Sequence, residues 1–196
     1  NARSGHMLSE LLKSGRPVIV AGCVTEYAHQ VQILDAFRSI WLSHKNALLV
    51  LAPRHPEVSE RMAKLKQILE EYALPFCFRT CIDDVSIADN VACLVLDTIG
   101  ELCDFYAAAT VAHVGVDHNI LEPLGFGKPV TVPTGWDETY PSYPVYRLLH
   151  EQGGIIEAST PEELAANWLR LLDSAEAYTV AQGDVANVLK TVRGST

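Results

Sequence analysis

Three polar segments in this chain carry residue types that suit the binding of a phosphorylated ligand. The first, residues 53–56, reads Pro-Arg-His-Pro, so two prolines stiffen the loop that presents Arg54 and His55. A guanidinium can hold a phosphate through two parallel hydrogen bonds, and an imidazole can add a further donor. The other two segments are residues 97–101 and 117–122. We predict that all three segments contribute to one site.

The segment at residues 97–101 reads Asp-Thr-Ile-Gly-Glu, in which Thr98 and Glu101 have the spacing of a capping box. Its Gly100 would let a ligand approach the free amides at the start of a helix, where the helix dipole favours an anion. The structural alternative is that Asp97 competes with Thr98 as the cap of this helix. Together with the neighbouring arginine loop, the segment favours a phosphate site.

Glu122 closes the third segment, after His118 and Asn119 and directly before Pro123. Because proline is tolerated only in the first turn of a helix, a helix should start close to Glu122 and leave its carboxylate at the end of the preceding strand. There a carboxylate can accept hydrogen bonds from both hydroxyls of a ribose. The alternative is a capping box that Asn119 and Glu122 form between themselves. Lys128, further along the chain, is another candidate phosphate donor.

The polar segments follow continuous apolar runs of the kind that buried parallel strands use. Such runs alternate with stretches of helical periodicity, which predicts strands at residues 16–22, 47–52, 75–78, 91–96, 111–114, 130–132 and 154–156 and helices at residues 26–42, 62–72, 99–109, 143–151, 160–172 and 175–192. This alternation predicts an α/β fold, a Rossmann-like parallel sheet with helices on both faces. Open α/β sheets bind ligands at the carboxyl ends of their strands, so the polar segments should meet there.

The length and charge of the chain limit its organisation and its partners. A chain of 196 residues without an internal linker predicts one substantial domain. Residues 1–7 are typical of an expression-vector remnant, which leaves residues 8–196 as a single Rossmann-like domain. With 15 basic and 24 acidic residues and a net charge of −9, the chain lacks the clustered positive charge of a nucleic-acid surface.

The signatures of several common site classes are missing from the sequence. The five cysteines form no Cys-x-x-Cys pair, which argues against a metal site and favours reduced thiols in a cytosolic protein. No Gly-x-Gly-x-x-Gly follows the first predicted strand, and there is no Walker A loop, so dinucleotide and nucleoside triphosphatase sites lose support. We therefore predict a site that uses neither a metal nor a cofactor.

The polar segments, in the same order along the chain, resemble motifs of the Kdo transferases. The similar stretches are residues 52–57, 97–102, 118–123 and 127–130, and the resemblance covers most of residues 16–194. Kdo transferases are bacterial glycosyltransferases of the GT-B fold class that move 3-deoxy-D-manno-octulosonic acid (Kdo) from CMP-Kdo to a lipid A precursor. This chain resembles their C-terminal domain.

The resemblance implies that the domain binds the nucleotide donor without a metal, and that the catalytic base belongs to an N-terminal half. It implies that Arg54 contacts the donor phosphate, and that Gly100 and Glu101 line the pocket. It also implies that Asn119 and Glu122 hold the nucleotide. On this view the domain is part of a larger glycosyltransferase and is inactive when isolated.

The implied function is the donor-binding step of lipopolysaccharide biosynthesis, in the cytoplasm, with the full-length protein attached to the cytoplasmic face of the inner membrane. One alternative is another GT-B enzyme that uses a UDP- or GDP-sugar. A second is a non-catalytic nucleotide-binding or scaffold domain. It is favoured by residues 22–26, where Gly-Cys-Val-Thr-Glu stands in place of the family's usual Gly-Ser-Thr-His and acidic residue. The glycine-rich approach to His-Asn is likewise reduced at residues 115–117.

Overall fold

A parallel sheet of seven strands forms the centre of the fold. The computed structural model describes residues 5–83 and 86–194. The strands are β1 (Val18–Val24), β2 (Leu48–Pro53), β3 (Phe76–Phe78), β4 (Cys93–Val95), β5 (Val111–Val114), β6 (Val130–Pro133) and β7 (Ile156–Ala158). They lie in the order β3-β4-β2-β1-β5-β6-β7, and each neighbouring pair is parallel. The predicted α/β fold with a parallel sheet is therefore confirmed.

Helices cover both faces of this sheet. They are α1 (Gly5–Ser14), α2 (Tyr27–Ser43), α3 (Ser59–Tyr72), α4 (Leu102–Ala108), α5 (Leu121–Gly125), α6 (Tyr143–Glu151), α7 (Pro161–Asp173) and α8 (Ala175–Gly194). Helices α2, α3 and α7 bury side chains such as Phe37 and Trp168 on one face. The other helices bury side chains such as Phe105 and Leu149 on the opposite face. Over the described ranges, none of these helices combines the length and hydropathy that a membrane crossing requires.

Part of the segment that we interpreted as a vector remnant belongs to the fold. Residues 1–4 lie outside the described residues, but residues 5–7 begin the first turn of α1. Met7 is fully buried, and Leu11, one turn later on the same side of the helix, is 6% exposed. The vector origin of residues 1–7 stays a prediction, whereas their exclusion from the fold does not hold for residues 5–7.

The carboxyl end of β1 is irregular, and this irregularity shapes the edge of the sheet at which the polar segments are expected to meet. The pairing of β1 with β2 shifts between Gly22 and Val24, and Cys23 between them has a φ angle of 59°. Few non-glycine residues adopt this conformation, which here accompanies a β-bulge. A side chain at Gly22 would place its first carbon 1.8 Å from the hydroxyl of Tyr106, so only glycine fits there. Cys23 consequently lies outside the ladder, at the edge of the sheet.

A buried polar cluster interrupts the apolar run of β5. The Nδ1 atom of His113 lies 3.0 Å from the hydroxyl of Thr131, and Trp168 donates its indole N–H to the same hydroxyl at 3.0 Å. Burial lowers the pKa of His113 to about 3, so this imidazole is neutral at physiological pH. The cluster ties β5 to β6 and to α7 in the interior of the domain.

Candidate functional site

The carboxyl edge of the sheet brings the three predicted segments together. Arg54 follows β2, residues 97–101 follow β4, and residues 117–122 follow β5. Strands β4, β2, β1 and β5 are direct neighbours in the sheet, so their following loops are also neighbours. The carboxyl end of β1, which carries Cys23, lies between those of β2 and β5. The predicted convergence of the segments therefore agrees with the order of the strands.

Two hollows open at this edge, and they meet at Cys23 and Arg54. The first, which we call the β2/β4 cleft, has a volume of about 280 Å³ and is lined chiefly by Arg54, His55, Thr98, Ile99, Gly100 and Leu102. The second, which we call the histidine pocket, has a volume of about 170 Å³ and is lined chiefly by Thr25, His29, Arg54, His118 and Tyr140. Because the hollows share two residues, one elongated ligand can occupy both.

Arg54 is the cation at the junction of the hollows. Its side chain is exposed, and among the described residues its guanidinium forms neither a hydrogen bond nor an ion pair. Burial lowers the pKa of His118, and the charge of Arg54 lowers it further, while Asp117 opposes both effects. Arg54 therefore lies close enough to the pocket to influence its charge. This position suits an anionic group that would bridge the two hollows.

His55 lies beside Arg54 at the mouth of the cleft. Its φ angle is 58°, and its Nδ1 atom lies 2.9 Å from a carboxylate oxygen of Glu57. Both side chains are about half exposed. Because a carboxylate only accepts, Nδ1 donates to Glu57, and Nε2 can donate to a ligand in the cleft only when the ring is protonated.

Glu101 is engaged inside the protein and does not line either hollow. Its carboxylate accepts a hydrogen bond from Arg79 Nε at 3.1 Å, and the residue is only 3% exposed. The Thr98 hydroxyl donates to the other carboxylate oxygen. Arg79 in turn donates to the carbonyl of Ile82 at 2.9 Å. Glu101 therefore orders the loop from within. The resemblance implied that Glu101 lines the pocket, but the structure does not place it in the lining of either hollow.

The predicted capping box at residues 97–101 is not formed. Helix α4 begins after Glu101 without a side-chain cap, because the Thr98 hydroxyl donates to a carboxylate and accepts no helix amide. Asp97 is no cap either, since it accepts hydrogen bonds from the backbone amide of Thr80 at 2.9 Å and from its hydroxyl. Gly100, with a φ angle of 91°, lines the cleft, and its contact with a ligand stays a prediction.

Glu122 behaves differently from Glu101. Helix α5 begins one residue before it, close to the predicted start, and the Oδ1 atom of Asn119 accepts the Leu121 amide at 3.2 Å. The return bond of a capping box is missing. Over residues 5–83 and 86–194, the Glu122 carboxylate forms no hydrogen bond and no ion pair. The alternative in which Glu122 only caps its own helix is therefore not supported.

The negative charge of the Glu122 carboxylate raises the pKa of two neighbouring side chains at the carboxyl edge of the sheet. Burial raises the pKa of the Cys23 thiol, and the charge of Glu122 raises it further. Burial likewise raises the pKa of Tyr106, with Cys23 and then Glu122 as the next causes. The half-buried Glu122 lines neither hollow, but its charge influences Cys23, which lines both, and its carboxylate is available to accept hydrogen bonds from a ligand.

The structure places Lys128 away from the other predicted site residues. It precedes β6, so it lies at the amino edge of the sheet, opposite the edge that carries Arg54. A strand of four residues separates the two edges by roughly 13 Å. The neighbouring Gly127 carbonyl accepts a hydrogen bond from Gln182 of α8 at 3.2 Å, which ties this turn to the far side of the domain.

Residues of the histidine pocket other than Arg54 and His118 were not predicted as site residues. Thr25 and His29 follow β1, and Tyr140 belongs to the loop between β6 and α6. The Thr25 hydroxyl oxygen is buried and has no hydrogen-bond partner among the described residues. Its position after an apolar run is the same signal that identified Arg54, and it points to the same edge of the sheet.

The site carries no recognisable metal centre in the described part of the chain, where no three His, Cys, Asp or Glu side chains are grouped so as to hold an ion. Of the two acidic side chains that line the histidine pocket, one accepts a hydrogen bond from the protein and the other is exposed. Asp117 accepts the Ser142 hydroxyl at 2.7 Å, and Glu26 lies exposed at the rim.

Comparisons with known proteins agree with this architecture, although no family model matches the chain. It is 31% identical over 176 residues to the 3-deoxy-D-manno-octulosonic acid transferase of Haemophilus influenzae, an alignment that covers 86% of this chain and 39% of that relative. The chain thus spans about two fifths of that relative's length.

Two solved structures share the fold. The C-terminal CMP-Kdo binding domain of WaaA from Acinetobacter baumannii superposes with a TM-score of 0.79 at 23% identity, over 93% of this chain and 95% of that one. The C-terminal domain of a glycosyl transferase group 1 family protein (LpcC) from Francisella tularensis superposes with a TM-score of 0.64 at 9% identity, over 95% and 92% of the two chains.

The fold, with its ligand edge at the carboxyl ends of the strands, is that of the C-terminal domain of a GT-B glycosyltransferase. Within that class, the likeness in sequence to the Haemophilus influenzae enzyme carries the assignment further. The chain belongs to the Kdo transferase family and corresponds to the C-terminal domain of its members.

Proposed function

We propose that this domain binds CMP-Kdo at the carboxyl edge of its sheet, as the donor half of an enzyme that transfers Kdo to a lipid A precursor in lipopolysaccharide biosynthesis. The observation that carries the proposal is the guanidinium of Arg54, which lies where the two hollows meet and has no hydrogen-bond or ion-pair partner among the described residues. A phosphate held there would place a nucleoside in one hollow and a sugar in the other. A nucleotide sugar has this arrangement of parts.

The β2/β4 cleft suits the nucleoside. Leu96, Ile99 and Leu102 provide apolar walls for a flat base. Glu122, whose carboxylate has no hydrogen-bond partner in the described residues, is available to the two ribose hydroxyls. Asn119 is exposed beside it, so the nucleotide would be held from the β4 and β5 loops together.

In the transfer reaction the bond between the sugar and the phosphate oxygen breaks, and CMP leaves with the bonding electrons. The negative charge that develops on the phosphate would be stabilised by Arg54. The acceptor hydroxyl must lose its proton as its oxygen forms the new bond to the sugar, and we assign that proton to a carboxylate base in another domain. The 196-residue chain alone is therefore expected to bind the donor without transferring the sugar.

Calorimetric titration with CMP, UMP and GMP tests the assignment of the donor. We expect CMP to bind more tightly than either of the other two nucleotides, because the site would be shaped for a cytidine nucleotide. A preference for UMP or GMP would indicate a GT-B domain that uses a UDP- or GDP-sugar. The absence of binding by any of the three to a folded chain would instead favour a non-catalytic scaffold domain.

Glu122→Gln is expected to weaken CMP binding by about 1 kcal/mol, because glutamine offers the ribose only one acceptor oxygen. Glu122→Ala should weaken it further. The free energy of unfolding should stay unchanged in the glutamine variant, since the Glu122 carboxylate caps no helix in the structure. The measurement is calorimetric titration of each variant beside its urea unfolding curve.

2′-Deoxy-CMP provides the matched ligand for this test. If Glu122 accepts both hydroxyls, the wild-type chain should prefer CMP to 2′-deoxy-CMP, and Glu122→Gln should reduce that preference. Wild-type CMP affinity in a well-folded Glu122→Gln variant would contradict the assignment of Glu122 to the ribose.

A further inference from the structure

The turn after β3 lies beside the loop that lines the β2/β4 cleft. β3 is the outermost strand on this side of the sheet, and its last residue, Phe78, pairs with Val95 of β4. The residues that follow these two strands are therefore neighbours at the carboxyl edge. Residues 79–81 form a single turn of 3₁₀ helix, which we call the β3 turn, and we call residues 97–101 the β4 loop.

The middle of the β4 loop faces the cleft, and its two ends do not. Thr98, Ile99 and Gly100 line the cleft, whereas the first and last residues of the loop, Asp97 and Glu101, are absent from its lining. Ile99 is 78% exposed, and helix α4 begins after the loop without a side-chain cap. Neither the packing of this apolar side chain nor a helix cap therefore fixes the loop.

The β3 turn binds both carboxylates of the β4 loop. Asp97 accepts two hydrogen bonds from Thr80, one from its backbone amide at 2.9 Å and one from its hydroxyl. At the other end of the loop, Glu101 accepts a hydrogen bond from Arg79 Nε at 3.1 Å. The remaining carboxylate oxygen of Glu101 accepts the hydroxyl of Thr98. Two consecutive residues of the β3 turn thus hold the β4 loop at its two ends.

The β3 turn is itself fixed to the sheet. It follows directly on β3, whose three residues all pair with β4. Arg79 is only 7% exposed, and its Nη1 atom donates to the carbonyl of Ile82 at 2.9 Å. The Ile82 amide donates in turn to the Arg79 carbonyl at 3.3 Å. The β3 turn is therefore an ordered support for the β4 loop.

We infer that Arg79 and Thr80 are positioning residues for the nucleoside of the donor, which they act on through the β4 loop without touching it. The inference rests on the proposed function, because it takes the nucleoside to lie in the β2/β4 cleft. Neither residue lines either hollow. A loop that is ordered before the ligand arrives loses less conformational freedom on binding, so its support raises the affinity.

Thr80 is the residue to test, because Arg79→Ala would leave the buried Glu101 without its ion-pair partner and destabilise the chain. Thr80→Val removes only the hydroxyl bond to Asp97 from an exposed side chain. In calorimetric titration, CMP and cytidine should both bind this variant about 3–10-fold more weakly, since the loop contacts the part that the two ligands share. Thr80→Ser keeps the hydroxyl and should restore both affinities. Amide hydrogen exchange over residues 97–101 should be faster in the valine variant only.

A hydroxyl–carboxylate bond elsewhere on the same edge provides the control. Ser159, which follows β7, donates its hydroxyl to Glu163 at 2.6 Å, and both residues are exposed and line neither hollow. Ser159→Ala should therefore leave the affinities for CMP and cytidine unchanged. A double-mutant cycle identifies the contact: in an Asp97→Ala background, Thr80→Val should cost no further affinity, because the two residues act through one contact.

Wild-type affinity or wild-type hydrogen exchange in Thr80→Val would overturn this inference and leave the proposed function intact. A loss confined to CMP would also overturn it, because the β3 turn would then act on the phosphate and not on the nucleoside. The same holds if Thr80→Val costs as much affinity in the Asp97→Ala background as in the wild type. If the folded wild-type chain bound neither CMP nor cytidine, the proposed function would fail as well.

Discussion

A Glu101→Ala variant is expected to have a free energy of unfolding about 3–5 kcal/mol below that of the wild-type chain. Glu101 and Arg79 form an ion pair at 3.1 Å, and their side chains are only 4% and 9% exposed. Alanine would leave the guanidinium in the same buried position without its carboxylate, which is the costly way to break such a pair. Urea unfolding at pH 7, followed by tryptophan fluorescence, measures the loss.

Two variants control for this interpretation. Glu101→Gln keeps one acceptor oxygen for Arg79, so it should lose less stability than the alanine variant and, once folded, should bind CMP like the wild type. Glu60→Ala removes an exposed ion pair with Lys64 at 3.0 Å and should leave the unfolding curve unchanged. A Glu101→Ala curve indistinguishable from that of Glu60→Ala would contradict a structural role for the buried pair.

The position of the ligand edge could be predicted from the sequence because it depends on chain order and little else. Arg54 and residues 117–122 directly follow apolar runs, and in a parallel sheet the residues that follow strands lie at one edge. The strands themselves were recognisable because both faces of the sheet are covered, which makes their sequences continuously apolar. Even β5 was identified, although it contains the buried His113.

The partner of a side chain could not be predicted in the same way. Thr98 and Glu101 have capping-box spacing, but Arg79 approaches Glu101 from 22 residues earlier in the chain. That contact depends on the packing of the turn after β3 against the loop after β4. A local pattern cannot reveal it, so the carboxylate was assigned to the ligand when it is in fact buried.

For Lys128 and for the histidine pocket, the position of a residue in the sequence did not predict its position in the fold. Lys128 was predicted as a further candidate donor to the phosphate, yet a short helix carries the chain across to the other edge of the sheet before it. Tyr140 lies far from Thr25 in sequence. The hydrogen bonds from Ser142 to Asp117 tie the loop before α6 to the loop after β5, which neighbours the carboxyl end of β1. Convergence of loops from non-consecutive strands requires the topology to be known.

Arg54→Ala is expected to weaken CMP binding by about 1.5–3 kcal/mol, which is roughly a 10- to 150-fold loss of affinity. The guanidinium lies at the junction of the two hollows and forms no hydrogen bond or ion pair with the described residues, so it is available to a phosphate. For the same reason the free energy of unfolding should barely change. Calorimetric titration with CMP and urea unfolding, run on the same protein, measure the two effects separately.

Cytidine is the control ligand for this variant, and Arg38→Ala is the control variant. Cytidine lacks the phosphate, so its affinity should be the same for Arg54→Ala and for the wild type, whereas CMP affinity should fall. Arg38 lies exposed on α2 and lines neither hollow, so its removal should leave CMP affinity unchanged and exclude a general effect of net charge. If CMP and cytidine lost affinity by the same factor in Arg54→Ala, the arginine would be shaping the cleft, and the phosphate would have to be bound elsewhere on the edge.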